Sequence, residues 1–155
     1  MPRYPLVHKK IPEKIYKEIH RSLPLVCVDI AVTDGSGRFL LVKRTNDPEA
    51  GQWWFPGGRI LKNELLREAA LRFLERETGL RGSVSALLGF HEYFAAPGYF
   101  PGMNAHTIAF VFTVNVKRNS TFRLDSQSSD AQWFSKINPV WDPYVRRFLK
   151  EAGFK

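Results

Sequence analysis

Cysteine occurs once in the 155 residues, as Cys27. A lone cysteine excludes an internal disulfide and any cysteine metal cluster. Set in a strand pattern, Cys27 reads as a small buried hydrophobe. No apolar run approaches the roughly 18–20 residues that span a bilayer. No secretory signal pattern opens the chain, so a cytoplasmic protein with no membrane partner is expected. Zinc-finger spacing, an RNA-binding aromatic motif and a helix-turn-helix are all missing. So are internal repeats, low-complexity tracts and linkers.

What is there suits one ordinary domain. With 44% hydrophobic and 25% charged residues, the chain has enough apolar material for a real core, and residues 1–155 read as a single unit. The net charge of +8 is unevenly spread. Residues 1–22 hold six Lys/Arg and two Glu, so four of the eight net charges lie in an N-terminal basic arm and helix, residues 1–23. The body is only mildly basic. This argues against nucleic acid as the main ligand and for a polyanionic small molecule.

The periodicities give an alternating order of elements. Ile11, Ile15, Ile19 and Leu23 form one stripe of a helix over Pro12–Leu23, which Pro24 ends. Leu25–Val32 and Arg38–Lys43 read as strands joined by the turn Asp34-Gly35-Ser36-Gly37. Trp53-Trp54-Phe55 reads as a short strand reached through a loop. Leu87–Phe94 and His106–Val116 are further strands. Between them lies a Pro-, Gly- and aromatic-rich loop at 95–102, which covers substrate or makes a subunit contact. Leu124–Trp133 is read as a loop. Asp142 and Pro143 open a last helix as N-cap and first residue, Gly153 closes it, and Tyr144, Phe148 and Ala152 face the core. His91 and His106 are expected to be packed histidines.

The stretch Gly57–Leu80, GGRILKNELLREAALRFLERETGL, organises the rest. Gly57-Gly58 allow close approach of backbone to a ligand. Asn63 is the expected N-cap and Gly79 the left-handed C-cap. Leu66, Ala70, Phe73 and Leu74 recur at helical spacing, with Glu64, Glu68, Arg72 and Glu75 turned mostly elsewhere. A glycine loop feeding a helix with several carboxylates is a way to hold a divalent cation and a diphosphate.

These residues resemble the Nudix box: Gly58, Glu64, Arg72, Leu74, Glu77, Gly79 and Leu80 fall on its pattern without a gap. Two of its metal-binding glutamates are replaced, by Phe73 and Arg76. The pattern is similar to the GDP-mannose mannosyl hydrolase branch, whose box keeps only the last of those glutamates. The resemblance extends upstream and covers Ser22–Leu80. It implies an α/β Nudix fold, with a mixed β-sheet sandwiched between helices and residues 57–80 as the box loop-helix.

The resemblance also implies a chemistry. Glu77 and the Gly58 carbonyl would hold Mg²⁺, or Mn²⁺ in its place, with Gln127 completing the shell; Arg76 would repel additional cations. Asp29 takes the place of a sugar-contacting, catalytically important aspartate, although an acid in a strand is also simply paired inside many folds. Arg44 stands at a substrate-contacting position, and Arg59 at one that stabilises the departing diphosphate. Arg72 is either a structural partner of the box carboxylates or a contributor to catalysis. Ser128 replaces the histidine that serves relatives as general base, and Thr107 replaces a tyrosine. Asp130, Glu92 or a histidine from elsewhere then takes over, or the reaction differs. The implied reaction is hydrolysis of a nucleoside diphosphate sugar at the anomeric carbon, in a homodimer. The alternatives are a pyrophosphohydrolase attacking phosphorus, and a catalytically weak nucleotide sensor.

Overall fold

The structure, a computed structural model, describes residues 4–124 and 128–155. In chain order the elements are α1 (Glu13–Ser22), β1 (Leu25–Thr33), β2 (Phe39–Arg44), β3 (Trp53–Trp54), β4 (Gly57–Arg59), α2 (Leu66–Thr78), β5 (Gly82–Ala95), β6 (Ala105–Val116), β7 (Ser128–Phe134) and α3 (Pro143–Glu151). The strands form one mixed sheet in the order β3-β2-β1-β6-β5, with β4 added to β1 and β7 to β2. β1 runs parallel to β6 from Leu25↔Thr107 to Thr33↔Asn115, and the other pairings are antiparallel.

The α/β layering expected from the sequence follows from which residues face which side. Val28, Ile30 and Val32 of β1 pack with Ala69, Ala70, Phe73 and Leu74 of α2. Ala31 of β1, with Phe39 and Leu41 of β2, meets Tyr144, Val145, Phe148 and Leu149 of α3. β1 is covered on both faces, so it reads as a nearly continuous apolar run, as buried strands flanked by helices do. No helix among the described residues is long and apolar enough to cross a membrane.

Local chemistry sets the ends of the helices. Asp142 accepts the Tyr144 N–H at 2.8 Å, and Pro143 opens α3. Gly79 closes α2 at φ 69°. Asn63 is not the N-cap expected of it. It sits at φ 70°, its side-chain amide donates to the Pro5 carbonyl at 2.8 Å, and the helix starts three residues later at Leu66. Asn63 instead pins the N-terminal arm, which also crosses the loop through Val7 N–H to the Lys62 carbonyl at 3.3 Å. Residues 128–134 form a strand rather than the expected loop, pairing with β2 from Phe39↔Phe134 to Lys43↔Asp130. Their Ser/Asp-rich sequence carries little strand propensity; the unpaired edge of β2 supplies the backbone partners.

Gly57 marks the tightest point. A Cβ there would lie 2.2 Å from the Val28 carbonyl oxygen and 2.4 Å from Asp29 Oδ1, so only glycine lets β4 pair with β1. Replacing Gly57 by Ala pushes a methyl into backbone that has nowhere to move. The variant is expected to lose roughly 3 kcal/mol or more, read as a lower midpoint in urea or thermal unfolding; a midpoint equal to the wild type would contradict this packing.

Candidate active site

The sheet, the glycine loop and the N-terminal arm enclose a cavity of about 460 Å³. The middle of β1 gives it Asp29, β2 gives Arg44, β4 gives Gly58 and Arg59, and α2 gives Arg72, Phe73 and Arg76. Five of the site residues expected from sequence (Asp29, Arg44, Gly58, Arg59 and Arg72) therefore line one space. Among the described residues it is bounded by six Lys/Arg side chains against three Asp/Glu. A low-dielectric wall with that balance attracts a polyanion.

Asp29 is the acid at the centre of this cavity, 8% exposed. The Tyr144 hydroxyl donates to its Oδ2 at 2.7 Å. Burial pushes its pKa up to about 6, against the opposing effects of the Tyr144 hydrogen bond, the Arg44 charge and a Trp54 hydrogen bond. Tyr144 is pushed far up by its own burial and by Asp29, so it stays a neutral donor. Cys27 lines the same floor rather than closing into a core. Burial first, then Asp29, drive its thiol up to about 12, so it is no thiolate.

The arginines are held in different ways. The Arg44 Nε–H donates to the Pro48 carbonyl at 2.7 Å and so ties the 45–52 loop over the cavity. The same loop is fastened on its far side by the Tyr93 hydroxyl, which donates to Glu49. The Arg59 guanidinium lies 5.5 Å from the Tyr16 ring centre, a cation–π contact that brings α1 to the site. Arg72 forms a two-pronged pair with Glu64, Nη2 to Oε2 at 2.8 Å, and reaches the Arg59 carbonyl at 3.4 Å. Glu64 is buried rather than turned outward, and also accepts the Leu61 N–H at 2.8 Å. The Glu64–Arg72 pair thus locks the 59–64 loop to α2.

Glu77 is 3% exposed; its Oε2 accepts the Gly57 N–H at 3.2 Å, and Arg76 Nη2 stands 3.9 Å from its Oε1. The resemblance of the 57–80 stretch implies a divalent metal ion, so the donor set matters. Among the described residues no group of three or more His, Cys, Asp or Glu side chains is arranged to hold a metal. Glu77 holds the Gly57 N–H from behind and is not among the residues lining the cavity; one carboxylate is few enough for a single hard cation that keeps water and phosphate oxygens in its shell, and does not suit two. Gln127 lies outside the described residues.

The replacements considered for the missing histidine fall elsewhere. Glu92 is exposed on β5, and Asp130 on β7 caps its neighbour's Ala131 N–H at 2.8 Å. Neither lines the cavity. His91 stacks on Tyr144 at 5.1 Å and His106 on Phe94 at 4.3 Å, the packing roles expected of them. Sequence reasoning missed Tyr144 as a partner of Asp29, because its place on the apolar stripe of α3 marked it only as core. It also missed Tyr16 and His20, which line the cavity from α1, while Tyr99 lines it from the 95–102 loop that one reading laid over the substrate; no spacing in the chain links those two segments.

The Glu64–Arg72 pair makes a test of Arg72's role. Burial pushes the Glu64 pKa up, but the Arg72 hydrogen bonds, the Leu61 N–H and the Arg72 charge outweigh it and leave it below the ordinary 4.5. A depressed carboxylate contributes stability above its unfolded pKa and loses it as pH falls through the folded one. Arg72→Ala strands a buried charge and is expected to cost about 3–5 kcal/mol at neutral pH. The gap to wild type should narrow below about pH 4.5. Pairing it with Glu64→Gln should recover much of the loss. Additive losses in urea unfolding of the two single variants and the double would contradict the lock.

Known proteins resemble this chain over nearly its whole length. The family model for the NUDIX domain matches residues 23–149. A low-salt glycan biosynthesis protein, Agl8, of Haloferax volcanii is 32% identical over 141 residues, 90% of this chain and 89% of that protein. An ADP-ribose pyrophosphatase of Methanocaldococcus jannaschii is 31% identical over 115 residues, 74% of this chain and 64% of that protein. Among solved structures, a MutT NUDIX hydrolase from Burkholderia pseudomallei superposes with a TM-score of 0.70 at 26% identity, covering 84% of this chain and 99% of that one. With the glycine loop, the Glu64–Arg72 lock and Glu77 behind Gly57 all in place, the chain belongs to the Nudix family of hydrolases acting on nucleotide-linked small molecules.

Proposed function

We propose that this chain hydrolyses a nucleoside diphosphate sugar, with GDP-mannose as the first to test, by attack of water on the anomeric carbon. The observation that carries the reading is the division of the cavity. The box positions that would hold extra metal ions for attack at phosphorus are Phe73 and Arg76, while Asp29, with a pKa near 6, sits among Arg44, Gly57 and Tyr144. The resemblance of the chain to a glycan biosynthesis protein supports a sugar-bearing substrate.

In this reading Arg44 and Arg59 bind the diphosphate and oppose the charge that builds on it as it departs. Asp29 takes the proton of the attacking water. The new bond joins water oxygen to the anomeric carbon, the bond from that carbon to the β-phosphate oxygen breaks, and nucleoside diphosphate leaves with the electron pair. Tyr144 keeps the carboxylate oriented. Mg²⁺ or Mn²⁺ held by Glu77, the Gly58 carbonyl and Gln127 would add Lewis-acid stabilisation of the leaving group. A homodimer working in the cytoplasm belongs to the same reading, and light scattering of the purified chain measures the first part.

A panel of nucleotide sugars with mass-spectrometric product identification tests the reaction. Nucleoside diphosphate plus free sugar is expected; nucleoside monophosphate plus sugar phosphate would mean attack at phosphorus. Asp29 adds two linked expectations. The wild-type kcat/KM should rise with pH through about 6 as the carboxylate ionises, and Asp29→Asn should lose that limb together with roughly 10²–10⁴ in rate. For stability the sign is opposite. A raised carboxylate pKa means folding is favoured below the ordinary 3.8 and loses ground up to about 6, then stays penalised. Asp29→Asn should therefore unfold later than wild type at pH 7.5, by on the order of 1–3 kcal/mol, and not below pH 4. A variant both inactive and less stable at pH 7.5 would contradict the assignment.

A further inference from the structure

Phe73 and Arg76 do more than vacate two box positions. The Phe73 ring is 3% exposed and lies under the glycine loop, so close that a Cβ on Gly58 would be 2.9 Å from its Cζ. The ring fills the space between α2 and Gly58 from which a longer acidic side chain would reach an ion. Two guanidinium groups rest on it: Arg72 at 4.3 Å from the ring centre and Arg76 at 4.7 Å. Arg72 is committed to Glu64. Arg76 stands 3.9 Å from the Glu77 carboxylate, its side chain is 44% exposed, and it lines the cavity beside Gly58 and Arg59.

We infer that Arg76, braced on Phe73, is a phosphate-binding residue that supplies as fixed guanidinium charge what further metal ions would otherwise bring, so that the chain binds nucleoside diphosphates without a divalent metal. The inference rests on the proposed entry of a diphosphate into this cavity. A guanidinium offers several N–H donors in one plane, a match for phosphate oxygens. Stacking on the ring holds that plane with less freedom to lose on binding. The same charge, 3.9 Å from the Glu77 carboxylate, disfavours a second cation there. Metal affinity then falls while diphosphate affinity does not depend on it.

Titration calorimetry with GDP, in excess EDTA and in millimolar Mg²⁺, tests this on the whole chain. Wild type should bind GDP in EDTA within a few-fold of its affinity with Mg²⁺. Arg76→Ala, and Arg76→Gln, which keeps part of the stem over Phe73, should each weaken binding in EDTA roughly tenfold or more. Arg76→Lys should recover part of it, and Arg76→Glu should bind only when metal is added. Binding abolished by EDTA in wild type, or unchanged in Arg76→Gln, would overturn the inference. A chain that binds GDP through Arg76 yet turns over no nucleotide sugar keeps this inference and loses the proposed reaction. Turnover with no GDP binding in EDTA does the reverse.

Discussion

The contact on which the site depends is the insertion of Gly57–Arg59 between β1 and α2. On one side the loop pairs with Cys27–Asp29 so closely that no Cβ fits at Gly57. On the other, Glu77 accepts the Gly57 N–H and the Phe73 ring supports Gly58. The Glu64–Arg72 pair holds the segment that follows. With β1 on one side and α2 on the other, the backbone of the loop is held from both faces, and a phosphate entering as proposed meets donors already oriented.

Burial sets the character of the acid in this cavity. Desolvation raises the proton affinity of Asp29 and Tyr144. A carboxylate with a pKa of about 6 is suited to accept a proton, and planar guanidinium groups are suited to hold a diphosphate. The hydrogen bonds from Tyr144 and Trp54 and the Arg44 charge offset only part of the cost of burying Asp29. It is a stability penalty carried by the residue proposed to take the proton of the attacking water.

The parts of this arrangement legible in the sequence were those with short-range signatures. The Gly57–Leu80 stretch showed its loop, its helix and its Gly79 stop, and Asp142-Pro143 showed the start of α3. Strand patterns gave β1, β2, β5 and β6, whose layering then followed. What escaped depends on contacts between distant segments. Asn63 looks like a cap until the arm at Pro5 claims its side chain. Ser128–Phe134 looks like a loop until the edge of β2 is there to pair with. Tyr144 reads as core until Asp29, 115 residues away, meets its hydroxyl. In each case the local propensity is weak and a tertiary partner decides.

The central claim is that water attacks carbon and the diphosphate leaves whole. Turnover of a nucleoside diphosphate sugar in H₂¹⁸O, with the products separated and weighed, addresses it without reference to any variant. Label in the released sugar, and none in the nucleotide, is the result this account predicts. Label on a phosphate of either product would contradict it.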